Sequence, residues 1–341
     1  MEDSHLKMED IGEFGFIRSI QDNCIFSPSR IIKGIGDDCA VIGPYDGRVF
    51  LITTDLLIED IHFILGKIPP EHLGEKAVNV NLSDIAAMGG EAQNVFVSLA
   101  IPKRIDIKTI HSFYRGIKSV CKAYNINILG GDTSASPDRL MISITVIGQA
   151  PQGEVLLRSG ASPGDSIYLT GTIGNSAAGL KLIKEEAKAP EPIASSLIEA
   201  HNRPVPFLKT GRMVGRSGLA SSMIDLSDGL VLDLSHICEE SHVGACIFQG
   251  SLPLSRELIS MAGINRLDPY DLAISGGEDY RLLICVPPKN TGKFQEMFGE
   301  NAQVFCIGEI TKNQGIDMIR KDNTRERLNI KGFDHFKVVT P

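Results

Sequence analysis

Hydrophobic and polar residues alternate along the first half of the chain in the patterns that strands and amphipathic helices require. Short runs rich in Val, Ile and Phe predict strands at 48–54, at 93–101 and from residue 140 onward. Longer segments at 71–88 and about 106–124 carry apolar residues at helical spacing and predict helices. These elements together make one unit of alternating strands and helices.

A second series of elements follows the stretch SGASPGDS, whose Ser, Gly and Pro residues interrupt the pattern. The chain therefore divides near residue 151 into two predicted domains, 1–150 and 151–341, and the fold class is α/β (α+β). EEAKAPEPIA is predicted to be a surface loop. In the second domain, strands are predicted at SIYLTG, MIDLS, YRLLICVP and VFCIGEI, and helices at GTIGNSAAGLKLI and DGLVLDLSHICEES.

Composition narrows the classes of protein that fit. At 341 residues, 43 % hydrophobic and 22 % charged, the chain has enough apolar material for two cores. A net charge of -8 argues against nucleic acid as a partner, since phosphate-backbone binders carry clustered basic surfaces. MEDSHLKMED has no apolar core of a signal peptide, and no run reaches membrane-spanning length, so we expect a cytoplasmic protein that does not contact a membrane.

The cysteines give no sign of a metal or redox motif. None of the seven forms a C-x-x-C pair, and most lie in apolar contexts such as ACIF and LLICVP. We therefore predict that they are reduced, buried and structural.

Aspartates carry the strongest chemical signal, because six of them lie in or directly after apolar segments. On a helix, Asp84 of NLSDIAAMGG has no basic residue three or four positions away, so it lacks a local ion pair. A buried carboxylate without a partner is costly, so each needs a cap, a cation or a proton. Capping and turn roles stay open for individual members such as Asp228 and Asp132. The six are Asp38 of GIGDDCA, Asp55 after LITT, Asp84, Asp132 after NILGG, and Asp225 and Asp228 of MIDLSDG.

Carboxylates at strand ends, with the hydroxyls of Thr53, Thr54 and Ser227 beside them, form a hard oxygen donor set that favours Mg²⁺. An acidic pocket that holds Mg²⁺ suits a polyphosphate such as ATP, since the metal bridges anions that otherwise repel. In GIGDDCA the glycines let the chain turn and deliver an aspartate to the metal. The P-loop and protein-kinase signatures are absent from the sequence.

An ordered set of motifs resembles the thiamine-monophosphate kinase family, within the aminoimidazole ribonucleotide synthetase-like superfamily. The motifs are GIGDDCAVI, TTDLLIEDIHF, NLSDIAAMGG, GGDTS, LRSGASPGDSIYLTG, IDLSDGL and SGGEDY, and the similarity runs from GEFGFI near residue 12 to KGFDHF near 331. The resemblance implies ATP- and Mg²⁺-dependent phosphorylation of thiamine monophosphate to thiamine diphosphate by direct transfer. It also implies mixed sheets with helices packed on them, and a homodimer in which the N-terminal domains pair.

The same resemblance assigns roles to individual residues. It implies that the N-terminal domain binds ATP and Mg²⁺ and that the C-terminal domain completes the phosphate and substrate site. Each assigned residue also has an ordinary structural interpretation, such as a surface Arg or a core Phe. The implied metal ligands are Asp38, Thr53, Thr54, Asp55, Asp84, Asp132, Asp225 and Asp228, and the implied catalytic residues among them are Asp55, Asp84, Asp132 and Asp225. The implied nucleotide contacts are Gly131, Asp132, Arg158 and Ser227. The implied substrate contacts are His62, Glu278 and Phe333.

Some positions depart from the family pattern, and other functions stay open. Ala135, Asp60 and Asn175 stand where members often carry Arg, Gly and Asp, which bears on phosphate affinity and substrate fit. A related ATP-dependent synthetase and a metal-dependent phosphohydrolase are the alternative enzymes. A nucleotide-binding or scaffold protein without turnover is the non-enzymatic alternative.

Overall fold

A six-stranded mixed sheet forms the first half of the chain. The computed structural model describes residues 7–299, 303–330, 332–333 and 335–336. The strands pair in the order β1-β2-β3-β6-β4-β5, and all neighbours are antiparallel except β4 and β5. The strands are β1 (Ile31–Lys33), β2 (Ala40–Tyr45), β3 (Arg48–Ile58), β4 (Glu91–Pro102), β5 (Asn127–Ser136) and β6 (Met141–Pro151).

Three helices belong to this half of the chain: α1 (Met8–Ile20), α2 (Pro70–Ala87) and α3 (Ile107–Tyr124). The Asp106 side chain accepts a hydrogen bond from the Thr109 amide at 2.8 Å and starts α3, and Asn125 ends it in the left-handed conformation. Helix α2 is buried along nearly its whole length, because α3, the sheet and elements of the second half all pack on it. Polar residues in its middle, Lys76, Asn79 and Asn81, are therefore buried inside the protein.

The second half forms a seven-stranded mixed sheet in the order β13-β12-β9-β11-β7-β10-β8. Its strands are β7 (Ser166–Thr170), β8 (Ser222–Asp225), β9 (Gly244–Phe248), β10 (Leu282–Val286), β11 (Val304–Thr311), β12 (Gly315–Ile319) and β13 (Arg325–Arg327). The helices are α4 (Asn175–Ile183), α5 (Ile193–Asn202), α6 (Leu208–Ser217), α7 (Leu230–Ser241), α8 (Arg256–Asn265), α9 (Pro269–Ser275) and α10 (Thr291–Phe298). Single 3₁₀ turns lie at Gln152–Glu154, Gln249–Ser251 and Pro288–Asn290.

Most predicted elements are confirmed, but two strands are longer than the sequence patterns indicated. Strand β3 continues past residue 54 to Ile58, because the alternation of buried and exposed positions persists through Leu56 and Leu57. Strand β5 continues to Ser136 through backbone pairing with β4, although GGDTSAS has no apolar alternation. Asp55 and Asp132 therefore lie within strands, and the prediction that they end them was wrong.

The outer face of the first sheet lacks a covering layer among the residues that the structure describes. Phe50 and Leu56 on β3 are 39 % and 50 % exposed, and Leu129 on the edge strand β5 is 57 % exposed. The opposite face carries Val49, Leu51 and Leu57, which are buried against α2 and its neighbours. One side of this sheet is thus core, and the other presents apolar groups outward.

The seven cysteines are free, and five of them are buried as predicted. Cys24 and Cys306 are exposed, which corrects the prediction for these two. Cys24 follows helix α1 in a loop, and Cys306 lies where the pairing of β11 with β7 shifts register. In the described part of the chain, no helix is both long enough and apolar enough to cross a membrane.

Candidate active site

Three carboxylates from distant parts of the sequence converge where the two halves of the chain meet. Asp38 precedes β2, Asp84 lies near the end of α2, and Asp225 is the last residue of β8. One oxygen from each lies within 4.8 Å of the others. Asp38 and Asp225 are buried and Asp84 is half-buried. We call these three residues the carboxylate cluster.

The GIGDDCA turn delivers Asp38 to this cluster. Gly36 has a φ of +108°, a conformation that favours glycine, and the chain reverses there before the two aspartates. The aspartates then separate. Asp37 accepts hydrogen bonds from the Arg158 amide at 3.3 Å and pairs with Lys33 at 3.8 Å. Asp38 points to the cluster, so the two neighbouring carboxylates face different groups, although Arg158 contacts both.

Arg158 is the cation nearest to Asp38, and it occupies only one of that residue's oxygens. Its Nε and Nη2 donate to Asp38 Oδ1 at 3.0 and 2.6 Å. Asp38 Oδ2 is buried and has no hydrogen-bond partner among the described residues. Burial raises the pKa of Asp38 even though Arg158 opposes the change. An orphaned carboxylate oxygen of this kind is costly, and a bound cation would satisfy it.

The other two cluster members each accept a hydrogen bond from a hydroxyl. Thr53 donates to Asp84 Oδ2 and Ser83 donates to Asp225 Oδ2, both at 2.5 Å. Burial, followed by repulsion from Asp55, Asp225 and Asp38, raises the pKa of Asp84 well above its ordinary value. Burial and then Asp38 raise the pKa of Asp225 to about 8. Without an added cation, the cluster therefore disfavours full ionisation at neutral pH.

Thr53, Thr54 and Asp55 are consecutive on β3, so their side chains alternate between the two faces of the sheet. The Asp55 amide donates to Asn81 Oδ1 at 3.1 Å, and burial raises the pKa of Asp55 to about 6. Thr54 is exposed, its hydroxyl donating to the Ile144 carbonyl at 3.2 Å. The hydroxyl of Thr53 therefore joins the cluster and that of Thr54 does not.

Asp132 and Gly131 lie on the edge strand β5, outside the cluster. Asp132 is exposed and pairs in register with Ser98 of β4. Gly131 has a φ of +146°, and a Cβ there would come within 1.7 Å of the Val97 carbonyl oxygen. Strand pairing alone thus explains why glycine occupies position 131.

The loop after β8 carries Asp228 and Ser227. Burial and then Glu13 raise the pKa of Asp228 to about 7. Asp233, in the first turn of α7, accepts hydrogen bonds from the amides of Asp228 and Gly229 at 3.2 and 3.0 Å. The helix-start role considered for Asp228 therefore belongs to Asp233, which sequence reasoning missed.

A second polar group surrounds Glu278, in the loop between α9 and β10. Its Oε2 contacts Lys76 Nζ at 3.1 Å and His201 Nδ1 at 3.2 Å. Burial raises the pKa of Glu278, but Lys76 and His201 outweigh burial and hold it below its ordinary value. We call Lys76, His201 and Glu278 the paired cluster. Sequence reasoning missed Lys76 and His201, although a lysine inside the apolar helix α2 was a usable signal.

His62 and Phe333 lie beside Glu278 and Asp228. The Ile58 amide donates to His62 Nδ1 at 3.0 Å, and the His62 ring centroid is 4.8 Å from that of His335. The Phe333 ring packs edge-on against His335 at 4.7 Å, and the Phe333 amide donates to the Asp228 carbonyl at 3.1 Å. The C-terminal segment thus brings aromatic groups to the acidic loop.

Two of the departures from the family pattern have structural explanations. Asp60 has a φ of +67°, which explains a preference for glycine, and its carboxylate pairs with Arg139. Asn175, the first residue of α4, accepts from the Ser255 hydroxyl at 2.6 Å and donates to Thr172 at 3.1 Å. Ala135 is exposed on β5 and makes no such contact.

Comparison with known proteins covers almost the whole chain. Residues 36–150 match the family model of the AIR synthase related protein N-terminal domain, and residues 162–321 match that of its C-terminal domain. The thiamine-monophosphate kinase of Escherichia coli (strain K12) is 39 % identical over 331 residues, covering 95 % of this chain and 98 % of the relative. That of Bacillus subtilis (strain 168) is 36 % identical over 331 residues, covering 95 % and 99 %.

The fold also matches a solved structure of AaThiL complexed with AMPPCP and TMP. The two chains are 32 % identical, and the match covers 97 % of this chain and 99 % of the other. The TM-score is 0.85, so the similarity includes both halves of the molecule and the junction between them.

Proposed function

The chain belongs to the thiamine-monophosphate kinases of the AIR synthase-related family, and we propose that it transfers the γ-phosphoryl group of ATP to thiamine monophosphate. The products are thiamine diphosphate and ADP. The carboxylate cluster is the observation that carries this proposal, because two buried acids and one half-buried acid converge around a carboxylate oxygen without a hydrogen-bond partner, an arrangement that a cation would stabilise. The resemblance to AaThiL, solved with AMPPCP and TMP, supports the choice of donor and acceptor.

The residues at the junction fit Mg²⁺. Asp38, Asp84 and Asp225 would hold the metal, and the assigned ligands Asp55, Asp132 and Asp228 would complete the set. Their hard oxygen donors match the preference of Mg²⁺. Burial and then the neighbouring Asp38 raise the pKa of Asp225, and a bound cation would stabilise its ionised form. Bound Mg²⁺ supplies charge neutralisation for the phosphates during transfer.

The remaining residues of the site bind and orient the two substrates. Arg158 is placed to share its guanidinium fork between Asp38 and a nucleotide phosphate, and Ser227 and Gly131 are the other proposed nucleotide contacts. The acceptor is a phosphate monoester that is largely dianionic at neutral pH, so a general base is unnecessary. We expect direct transfer through positioning and charge neutralisation, without a phosphoenzyme.

The acceptor's thiamine portion is proposed to bind beside His62, Glu278 and Phe333. An ionised Glu278 suits a cationic thiazolium or an aminopyrimidine, and aromatic rings pack well against flat cationic groups. The low pKa of Glu278 supports this assignment, because the side chain keeps its charge at neutral pH.

Three further features belong to the proposal. We place the domain boundary at 150/151, one residue before β6 ends at Pro151.

A symmetric homodimer would cover the exposed Phe50, Leu56 and Leu129 of the first sheet. Light scattering at micromolar protein concentration tests the dimer, and a monomeric mass would count against it. The seven free cysteines fit a cytoplasmic location, where disulfides are rare.

The deciding experiment measures ADP formation with and without thiamine monophosphate, in Mg²⁺ and in excess EDTA. Our expectation is turnover that requires both the acceptor and the metal, with thiamine diphosphate formed in equal amount. ADP release without the acceptor would identify a phosphohydrolase, and ATP binding without turnover would identify a binding protein. Either result would overturn the proposal.

A further inference from the structure

Lys76 connects two of the proposed acceptor contacts from inside the protein. It is fully buried on α2, in the first half of the chain. Its ammonium lies 3.1 Å from Glu278 Oε2, in the second half, and 3.5 Å from the backbone carbonyl oxygen of His62. A buried lysine is costly unless its charge is paired, so this arrangement needs an explanation beyond packing.

Glu278 is held in an unusual way. Its φ is +63°, a left-handed conformation that costs of order 1 kcal/mol or more for a residue with a side chain and that concentrates at functional sites. Lys76 and His201 both contact the same oxygen, Oε2. The described residues make no hydrogen bond to the other oxygen, Oε1, and the side chain is 24 % exposed. One oxygen is therefore fixed by the protein while the other is left for a ligand.

The charges around Glu278 show which neighbouring residue balances its negative charge. Burial lowers the pKa of His201 to about 4, so its ring is neutral at pH 7, and Ser176 bonds the same ring nitrogen at 2.9 Å. Burial also lowers the pKa of His62. Lys76 is thus the cation that balances Glu278, and His201 contributes a neutral contact.

We infer that Lys76 is a positioning residue of the acceptor site. It holds Glu278 Oε2, so that Oε1 faces the thiamine portion of the acceptor. The inference rests on the proposed function. Lys76 itself does not touch the acceptor, since it is enclosed. Its removal should weaken acceptor binding through Glu278 and leave the nucleotide site intact.

The first test is steady-state kinetics of Lys76→Met, which keeps an unbranched side chain one atom shorter and removes the charge. We expect the KM for thiamine monophosphate to rise roughly tenfold to a hundredfold, as loss of an oriented charged contact does, while the KM for ATP stays within about twofold. An unchanged KM for thiamine monophosphate in the folded variant, or an equal rise in both constants, would overturn the inference.

Asn79 supplies a matched control one turn along the same helix. It is also buried, and its Nδ2 crosses to the second half by donating to the Pro204 carbonyl at 2.8 Å. Asn79→Leu should lower the melting temperature and leave the KM for thiamine monophosphate near the wild-type value. If it raises that KM as much as Lys76→Met does, the effect is general loosening of α2 and the specific role is wrong.

A double variant keeps the test decisive if Lys76→Met folds poorly. Lys76→Met leaves Glu278 unpaired, and Glu278→Gln leaves Lys76 unpaired, whereas the combination leaves no buried charge alone. We expect the double variant to be more stable than Glu278→Gln and to have a similar KM for thiamine monophosphate. Additive losses in that KM would show that the two residues act separately, against the inference.

A binding measurement separates this inference from the proposed function. Thiamine monophosphate alone, without ATP, should raise the melting temperature of the wild type and of Asn79→Leu, and should have little effect on Lys76→Met at the same concentration. Failure of the wild type to form ADP with thiamine monophosphate overturns the proposed function. If the wild type forms ADP but thiamine monophosphate raises the melting temperature of Lys76→Met as much as that of the wild type, only the role of Lys76 is overturned.

Discussion

The carboxylate cluster and the paired cluster lie in the same junction but balance their charges in opposite ways. In the carboxylate cluster, Asp38, Asp84 and Asp225 repel one another, and Arg158 occupies one oxygen of one member. In the paired cluster, Lys76 matches Glu278 within the protein. One group is electrostatically incomplete until a cation binds, and the other is complete without a ligand.

The two clusters also differ in the sign of their pKa shifts. Burial raises the pKa of a carboxyl in both groups, but only Glu278 has a neighbouring cation that reverses the effect. In the carboxylate cluster, the raised pKa values of Asp84 and Asp225 fit a site that a bound cation would complete. A lowered pKa marks a group that the fold has already organised. Replacing one acid in each cluster should therefore change stability in opposite directions.

The largest effect is expected from Asp84→Asn. If Asp84 holds Mg²⁺ as proposed, losing its carboxylate should lower kcat roughly a hundredfold or more, because charge neutralisation acts on the transition state. The melting temperature of the ligand-free protein should rise, since one of three repelling acids is gone while asparagine can still accept from Thr53. Kinetics and thermal unfolding of the same preparation check both.

Glu278→Gln is the matched comparison for Asp84→Asn. It should lower the melting temperature, because Lys76 is then buried without a counter-charge. A rise in melting temperature for both variants, or a fall for both, would break the contrast between the two clusters.

Asp132→Asn is expected to give the next largest effect and to separate activity from stability. If Asp132 holds metal together with the cluster when substrates are bound, kcat should fall about tenfold to a hundredfold. The melting temperature without ligands should stay unchanged, since the carboxylate is exposed on β5. Near-normal Mg²⁺-dependent turnover in the folded variant would remove Asp132 from the site.

A pH series of the melting temperature without metal should test the same contrast, with a smaller effect. Folding raises the pKa of Asp55, Asp37 and Asp225 from 3.8 to about 6, 7 and 8, mainly through burial. The folded protein therefore holds these protons more tightly than the unfolded chain. Their contribution to stability is fully present below pH 3.8 and is lost as the pH rises through about 6 to 8.

We therefore expect the melting temperature without metal to fall as the pH is raised from 5 to 8, and Mg²⁺ to raise it more at pH 8 than at pH 5. Asp84→Asn should flatten the series measured without metal. A melting temperature that rises with pH in the absence of metal would contradict the assigned charges.

The smallest effect is expected from Asp60→Gly, which lies outside both clusters. Glycine removes the cost of the left-handed φ but loses the ion pair with Arg139, so the two contributions nearly cancel. The free energy of unfolding should change by less than about 1 kcal/mol. Both KM values should stay near the wild-type values, which gives a baseline for the larger changes.

Periodicity predicted much of the fold, because local alternation and apolar runs decide most of the strands and helices. It missed the second half of β5, whose pairing comes from backbone contacts with β4 that GGDTSAS does not encode. The hard-oxygen argument and the family resemblance grouped Thr53 with Thr54 as metal ligands, although two neighbours on a strand must point to opposite faces.

Motif order named Asp38, Asp84 and Asp225, which the structure brings together, yet the partners of these residues were not visible in the sequence. Lys76 and Glu278 are 202 positions apart, and Arg158 reaches Asp38 across 120. Ion pairs at such separations depend on how the two halves pack, and no local pattern records that packing. The roles assigned to the site residues stay predictions until the variants above are measured.

Helix α2 carries residues of both clusters, with Lys76 near its middle and Asp84 near its end. Asp84 lies eight residues after Lys76, which corresponds to roughly 12 Å of helical rise, a length set by backbone hydrogen bonds and independent of loop conformation. Movement of the two halves can reorient Arg158 or Glu278 but cannot change this separation. A one-residue deletion between positions 76 and 84 would rotate one end by about 100° relative to the other, so donor and acceptor would lose their common register even in a folded protein.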